Sequence, residues 1–362
     1  MKNFVLAGSA SSLLFLAACG GDSAKPEAPK LDNVPAAPQQ PAPQASQAAA
    51  KKPTPPVKVD MAMVKAMFST APAAPAAPVP STSERVALGK LLFHEKSLSK
   101  HGNLSCSSCH DLANYGQDGK PTSPGSGEGT LGTRNTPTVY NAFRQFVQFW
   151  DGRAASVEEQ STGPMMNAVE HGFANEGELV AKMKEKPELV AAFAKAFPDD
   201  KDAVSIANFK NAVGAFERTL TTKSKFDDFL GGNAAALSNE EKAGLNLFLN
   251  KGCITCHMGP MLGGAMYQKT GVYKPYPSTD TGRMEVTKSE ADKNMFKVPM
   301  LLNVEKTAPY FHDGKSATLE DAVKVMADIQ LNTQLKDEEV ASIVTFLKTL
   351  TGPLPAEFAA KK

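Results

Sequence analysis

The sequence predicts a mainly α-helical protein built from two related domains, and three observations carry that prediction. From Ser81 onward apolar residues recur at helical periods between loops rich in Gly, Pro and Asn, with no sustained alternation, so little sheet is expected. The two halves of this region repeat one another in register. Each half also carries one C-x-x-C-H motif behind a similar helix.

The chain begins MKNFVLAGSASSLLFLAAC, with Lys2 as a short positive region, an apolar stretch ending at Leu16, and small residues before Cys19. That is the pattern of an export signal over residues 1–19. Leu16-Ala17-Ala18-Cys19 resembles a bacterial lipobox, whose cysteine is lipidated and anchors the mature protein to a membrane. A spanning helix is not expected, because the apolar run is shorter than the roughly 20 residues a bilayer core requires. Residues 20–80 hold thirteen of the twenty-six prolines, interleaved with Ala, Gln and Lys, and read as an extended tether. Within it, Val59 to Phe68 has the pattern of a short amphipathic helix able to dock onto the folded part. Thirty-nine Lys and Arg against thirty-eight Asp and Glu leave a net charge of +1, so nucleic-acid binding is not expected.

In the first domain, residues 81–225, Ser81-Thr82-Ser83-Glu84 can cap a helix carrying Val86, Leu88, Leu91, Leu92 and Phe93, which leads to Cys106-Ser107-Ser108-Cys109-His110. In the second, residues 226–355, Ser238-Asn239-Glu240-Glu241 does the same for Leu245, Leu247, Phe248 and Leu249 before Cys253-Ile254-Thr255-Cys256-His257. Further on, Pro137, Asn141, Asp151 and Gly152 are matched by Pro299, Asn303, Asp313 and Gly314 at identical spacings of four, ten and one. The boundary falls between Lys223 and Ala236.

Four of the five cysteines belong to the two C-x-x-C-H motifs and Cys19 to the lipobox, so none is left for a structural disulfide. Two such motifs in an exported chain form a c-type haem attachment signature, with the cysteines on the porphyrin vinyl groups and His110 and His257 as proximal iron ligands. A four-cysteine zinc site would place its pairs about 15–20 residues apart. Cys109 and Cys253 are far more widely separated, and the strand and helix pattern of a dithiol oxidoreductase is missing.

The repeat register then indicates what lies across each iron. From Thr318 a helix carries Ala322, Val325, Met326 and Ile329 on one face, and Met326 is the candidate sixth ligand of the second haem. Laying residues 151–164 on 313–326 without a gap puts Pro164 where Met326 stands, and proline offers iron no donor. Met165 and Met166 lie beside that position as alternatives. An iron open on one side can bind a small oxygen species, and Gln160, Glu170 and His171 lie near the open face. Glu170 is the candidate for moving the first proton of a bound peroxide. Trp150, the sole tryptophan, matches His312 across the repeat, and both are expected at the seam between domains.

At these residues the chain resembles the bacterial dihaem cytochrome c peroxidases, from about Leu88 to Gly352. The blocks that carry the likeness are Leu88-Gly89-Lys90-Leu91-Leu92-Phe93, both haem motifs, Arg134-Asn135-Thr136-Pro137-Thr138-Val139, Gln148-Phe149-Trp150-Asp151-Gly152-Arg153, Asp280-Thr281-Gly282-Arg283 and Pro309-Tyr310-Phe311-His312. The resemblance implies two cytochrome c-like domains with two covalent haems c: a low-potential N-terminal haem that reduces hydrogen peroxide and a high-potential C-terminal haem that receives electrons. It implies a calcium ion between them, held by Asn135 and the backbone carbonyls of Thr307 and Pro309, oxygen ligands that suit a hard cation. It matches Gln160 and Glu170 to the family's peroxidatic pair and Trp150 to its inter-haem tryptophan. A periplasmic location, a small cytochrome c or cupredoxin as donor, and a homodimer complete the expectation. Two other readings remain at this stage: a dihaem electron carrier without catalysis, and a haem-pair oxidase of organic or protein substrates, which Met326 disfavours because that branch has tyrosine there.

One departure from the family pattern stands out. Many relatives carry a histidine in the loop after the first haem motif, which caps the peroxidatic iron in the oxidised enzyme. Here Ser126 or Gly127 takes its place, and no histidine occurs between His110 and His171. The first haem is therefore expected to be open already in the fully oxidised protein, with Glu128 or Lys120 as weak substitutes.

Overall fold

The computed structural model describes residues 56–69 and 75–359. The expected export signal, Cys19 and most of the proline-rich stretch lie outside these residues. The described residues belong to one compact unit.

Helix α1 (Met61–Phe68) is capped by Asp60, whose side chain accepts from the amides of Ala62 and Met63 at 3.0 Å. In the first half follow α2 (Ser83–His94), α3 (Cys106–Cys109), α4 (Val157–Gln160), α5 (Gly163–Met166), α6 (Glu176–Lys184), α7 (Pro187–Ala196) and α8 (Ile206–Glu217). Helix α9 (Lys225–Leu230) leads into α10 (Asn239–Asn250), strand β1 (Tyr267–Lys269), α11 (Met284–Thr287), strand β2 (Met295–Lys297), α12 (Leu319–Leu331) and α13 (Asp337–Lys348). Strands β1 and β2 pair antiparallel with Tyr267 opposite Lys297, the one sheet among the described residues.

Of the expected caps, only the reciprocal box of Ser238 and Glu241 on α10 closes: on α2 the cap falls one residue later than Ser81, at Thr82, which accepts from Arg85 N–H, and at the start of α12 Thr318 accepts from Asp321 N–H without a return bond. Of the stripe on α2, Leu88, Leu92 and Phe93 are buried, whereas Leu91 faces solvent. Helix α2 packs on α8, and α10 packs on α13 in the same way. A glycine sits at each crossing. A Cβ on Gly89 would lie 1.9 Å from the Ala212 carbonyl oxygen, and one on Gly244 would lie 2.0 Å from that of Ser342, so only glycine lets these helix axes approach so closely.

The repeat extends to backbone conformation. Asn141, Phe149 and Gly152 have positive φ, and so do their counterparts Asn303, Phe311 and Gly314. Asn141 and Asn303 are both fully buried and both donate through Nδ2 to Thr222 Oγ1, at 2.9 and 3.0 Å. Thr222, in the connection between halves, thus pins the two equivalent turns to one atom.

The docking expected of Val59 to Phe68 is seen: Val64 and Phe68 are 0% exposed within the second half's core, Phe68 packs edge-on against Phe226, and the Gly259 amide donates to the Met67 carbonyl. The C-terminal stretch crosses the other way. Leu354 and Phe358 pack on the first half's cluster around Phe93, Tyr140 and Phe216. Each chain end therefore covers the half more distant in sequence. The physical reason is apolar content: α1 carries a buried pair that a solvated tether could not satisfy.

Candidate haem sites and their surroundings

Each C-x-x-C-H motif borders a cavity. The first, about 420 Å³, is lined by Cys106, Cys109 and His110; the second, about 180 Å³, by Cys253, Cys256 and His257. All four cysteines are half-buried thiols without a disulfide partner. Burial pushes Cys106 up to about 12 and Cys253 to about 11, so these are protonated thiols rather than reactive thiolates.

The histidines are oriented for a ligand. His110 Nδ1 lies 3.2 Å from the Gly116 carbonyl and His257 Nδ1 3.1 Å from that of Leu262. A carbonyl can only accept, so Nδ1 carries the proton and Nε2 keeps its lone pair. Burial lowers both imidazole pKa values, His257 to about 4, which keeps them neutral. Paired thiols, an oriented imidazole and an adjoining cavity in each half fit a covalently attached haem.

The two linings differ. In the second cavity Met326 of α12 joins His257 in the lining. In the first, Pro164 of α5 lines the wall together with Gln160, Glu170 and His171, and no methionine does. Met165 is buried in the apolar core and Met166 packs against it, and neither lines the first cavity. Glu170 Oε1 accepts from Asn167 Nδ2 at 2.9 Å, and desolvation raises its pKa despite the nearby Arg153. His171 is turned by a 2.6 Å contact of Nδ1 with the Leu98 carbonyl.

The loop position of the missing histidine faces elsewhere. Ser126 is buried, its amide donates to the Glu170 carbonyl at 2.7 Å and its hydroxyl to Asn103 Oδ1 at 2.8 Å. Neither Ser126 nor Gly127 lines the cavity, and neither do Glu128 and Lys120.

Trp150 lines both cavities. Its indole Nε1 donates to the Asn135 carbonyl at 2.9 Å, and its ring meets His312 edge-on at 6.3 Å, so the two repeat-related residues do meet at the seam. Around it, Arg134 holds Asp280 in a two-pronged pair at 2.6 and 2.7 Å and also binds Asp151, which Arg153 approaches at 2.7 Å. The spacing of single charged residues does not announce this network, although its members lie within blocks that carry the family likeness. Lys297 and Glu217, which also line the first cavity, were not singled out by the sequence at all. A lone lysine in a strand and a lone glutamate on a helix lack any motif.

Asn135 is buried, its amide N–H donates to the His312 carbonyl at 2.7 Å, and its Nδ2 donates to the Lys120 carbonyl at 2.9 Å. Gln117 reaches the Lys306 carbonyl, next to Thr307, at 3.2 Å. Between these two anchor points Asp118 keeps a buried Oδ2 without a hydrogen-bond partner.

The fold and the two motif-bearing cavities define a mainly helical protein of the class that carries two haems c, and Met326 lines one cavity whereas no methionine lines the other. The family model described as di-haem cytochrome c peroxidase matches residues 83–235. The chain is 47% identical over 281 residues to the cytochrome c551 peroxidase of Nitrosomonas europaea, a match that covers 76% of this chain and 82% of that protein. It is 43% identical over 283 residues to the cytochrome c551 peroxidase of Pseudomonas aeruginosa, with coverage of 76% and 81%. Among solved structures it is similar to a MauG-like protein associated with microbial copper homeostasis, with a TM-score of 0.70, 28% identity and coverage of 81% and 95%. The chain belongs to the dihaem cytochrome c peroxidase family. It is an enzyme that reduces hydrogen peroxide with two haems c, and the expected fold, cofactor class and activity stand.

Proposed function

We propose that peroxide is reduced in the cavity of His110, which Pro164 leaves without a sixth protein ligand, and that electrons enter at the cavity of His257 and Met326. The observation that carries this reading is the pairing of Pro164 and Met326: they occupy matching places in the repeat, and each lines its own cavity. The haem iron supplies peroxide binding and redox chemistry. The chain's own residues supply the rest. Glu170, half-buried and desolvated, accepts the first proton of the bound peroxide and returns it to the departing oxygen. Gln160, at the end of α4 and on the same wall, orients the substrate oxygens. Trp150, shared by both cavities, lies on the route between them.

With no side chain from 126–128 at the cavity, a haem held by Cys106, Cys109 and His110 would present an open iron in the fully oxidised protein, and prior reduction of the second haem would not be needed for peroxide to bind. Asn135 and the carbonyls of Thr307 and Pro309 take a calcium ion, and the orphaned Asp118 Oδ2 in the adjoining loop supports a cation there. The donor is a small periplasmic cytochrome c or cupredoxin. The chain is anchored in a bacterial membrane through Cys19 and faces the periplasm, and it forms a homodimer.

Steady-state oxidation of a reduced small cytochrome by peroxide tests the assignment. Pro164→Met places a sulfur donor where the second half has one, and it is expected to abolish turnover while the haem content stays at two. Met326→Ala is expected to slow electron entry and leave peroxide binding at the first haem intact. Full activity in Pro164→Met, with its sulfur on the iron, overturns the reading.

A further inference from the structure

Lys297 closes strand β2 and lies on the wall of both haem cavities, as does Trp150. The backbone binds it to that tryptophan, for its amide donates to the Trp150 carbonyl at 2.8 Å. The residue is only 5% exposed, and its Nζ reaches one partner, the neutral Gln145 Oε1 at 2.8 Å. A buried ammonium without a carboxylate partner is costly, and a lysine so placed is retained at a cost in stability.

The charged neighbours do not neutralise it. Asp151 is the carboxylate that acts on it, and Asp151 is already held by Arg134 and Arg153. Beneath it on β1 lies Tyr267, covered by Arg283, and beyond Phe296 the ring of His312 stacks at 4.3 Å. Glu170, Glu217 and His171 border the same first cavity. Burial pushes the Lys297 ammonium down to about 7, so the amine and ammonium are close in free energy near neutral pH.

We propose that Lys297 is the charge-compensating residue between the two haem cavities: its amine takes one proton from solvent when the first electron enters, and releases it when that electron passes on to peroxide. One electron and one proton enter together, so the buried region gains no net charge. Reduction of peroxide to two waters consumes two of each, so the ratio of one to one matches the overall reaction. Glu285, exposed and lining the first cavity, marks where that cavity reaches solvent. The inference rests on the electron route proposed above, and its test uses no peroxide, so the two fail separately.

The test is a spectroelectrochemical titration of the holoprotein between pH 5.5 and 9, read at the first haem to be reduced. In the wild type its midpoint stays nearly level below about pH 7, where Lys297 already holds its proton, and falls above it with a slope approaching 59 mV per unit, the one-electron equivalent of a tenfold change in proton activity; a wild-type midpoint level across the whole range overturns the proposal. K297M, which keeps the length and loses the charge, flattens that slope. K297R, which keeps a permanent charge, flattens it too and raises the midpoint at high pH. Should K297M fail to take up haem, K297R alone decides. A slope like the wild type's in whichever variant binds haem overturns the proposal and assigns the proton to another group.

Discussion

Glu170 and Glu217 border the same cavity with different neighbours, and their titration should separate accordingly. Glu170 accepts a hydrogen bond from Asn167, while desolvation still raises it above the ordinary 4.5. If it acts as the base, activity rises with pH through that raised value. Glu170→Gln should lose this acid limb together with about 10²- to 10⁴-fold in turnover, as is usual for a positioned acid–base group, measured as kcat against pH. Glu217 is deeper, and burial beside Glu158 pushes it up to about 8. The folded protein therefore binds a proton that the unfolded chain gives up above about 4.5, so this residue makes stability fall as pH rises from about 4.5 to 8. Lys297 works the opposite way, but only between about 7 and its ordinary 10.5. Thermal unfolding of Glu217→Gln should accordingly decline less than the wild type between pH 5 and 7. The iron-side residues were legible in the sequence because cysteine, histidine and methionine at fixed spacings admit few chemistries. Lys297 and Glu217 were not, because burial alone gives them their character.

Helices α2 and α10 show what periodicity can and cannot convey. Their apolar stripes and the Ser238 cap were readable, whereas the cap of α2 falls at Thr82, one residue beyond the Ser81 that the motif pointed to. The crossing glycines were not flagged, since a glycine inside a helix reads only as a small penalty until its partner helix is in place. Gly89→Ala and Gly244→Ala each push a methyl group into a carbonyl oxygen about 2 Å away. Each should cost about 1–3 kcal/mol as overpacking, seen as a lowered melting temperature of the holoprotein. Helix α1 was legible as an amphipathic segment, but composition placed it within a proline-rich tether. Phe68 is 0% exposed against Phe226. Phe68→Ala should therefore cost about 3–5 kcal/mol, whereas the same change in a true linker would cost nothing measurable.

At the scale of the molecule, the repeat is the organising fact, and the proposed function rests on its imperfection at Pro164 and Met326. Duplication supplied two cavities, two oriented imidazoles and two mirrored turns held at Thr222. Aligning residues 151–164 with 313–326 was enough to find the inequality between Pro164 and Met326 before any coordinates. The crossing of the chain ends was not visible, because nothing in the composition of residues 59–68 or 354–358 names the half it covers. The charge network of Arg134, Asp151 and Asp280 was equally hidden, since it joins residues 146 positions apart. The account rests on an open first iron and a closed second one. Electron paramagnetic resonance of the all-ferric holoprotein reads both at once: the account predicts one low-spin signal from the His257 and Met326 haem beside one high-spin signal from the His110 haem, and two low-spin haems would contradict it.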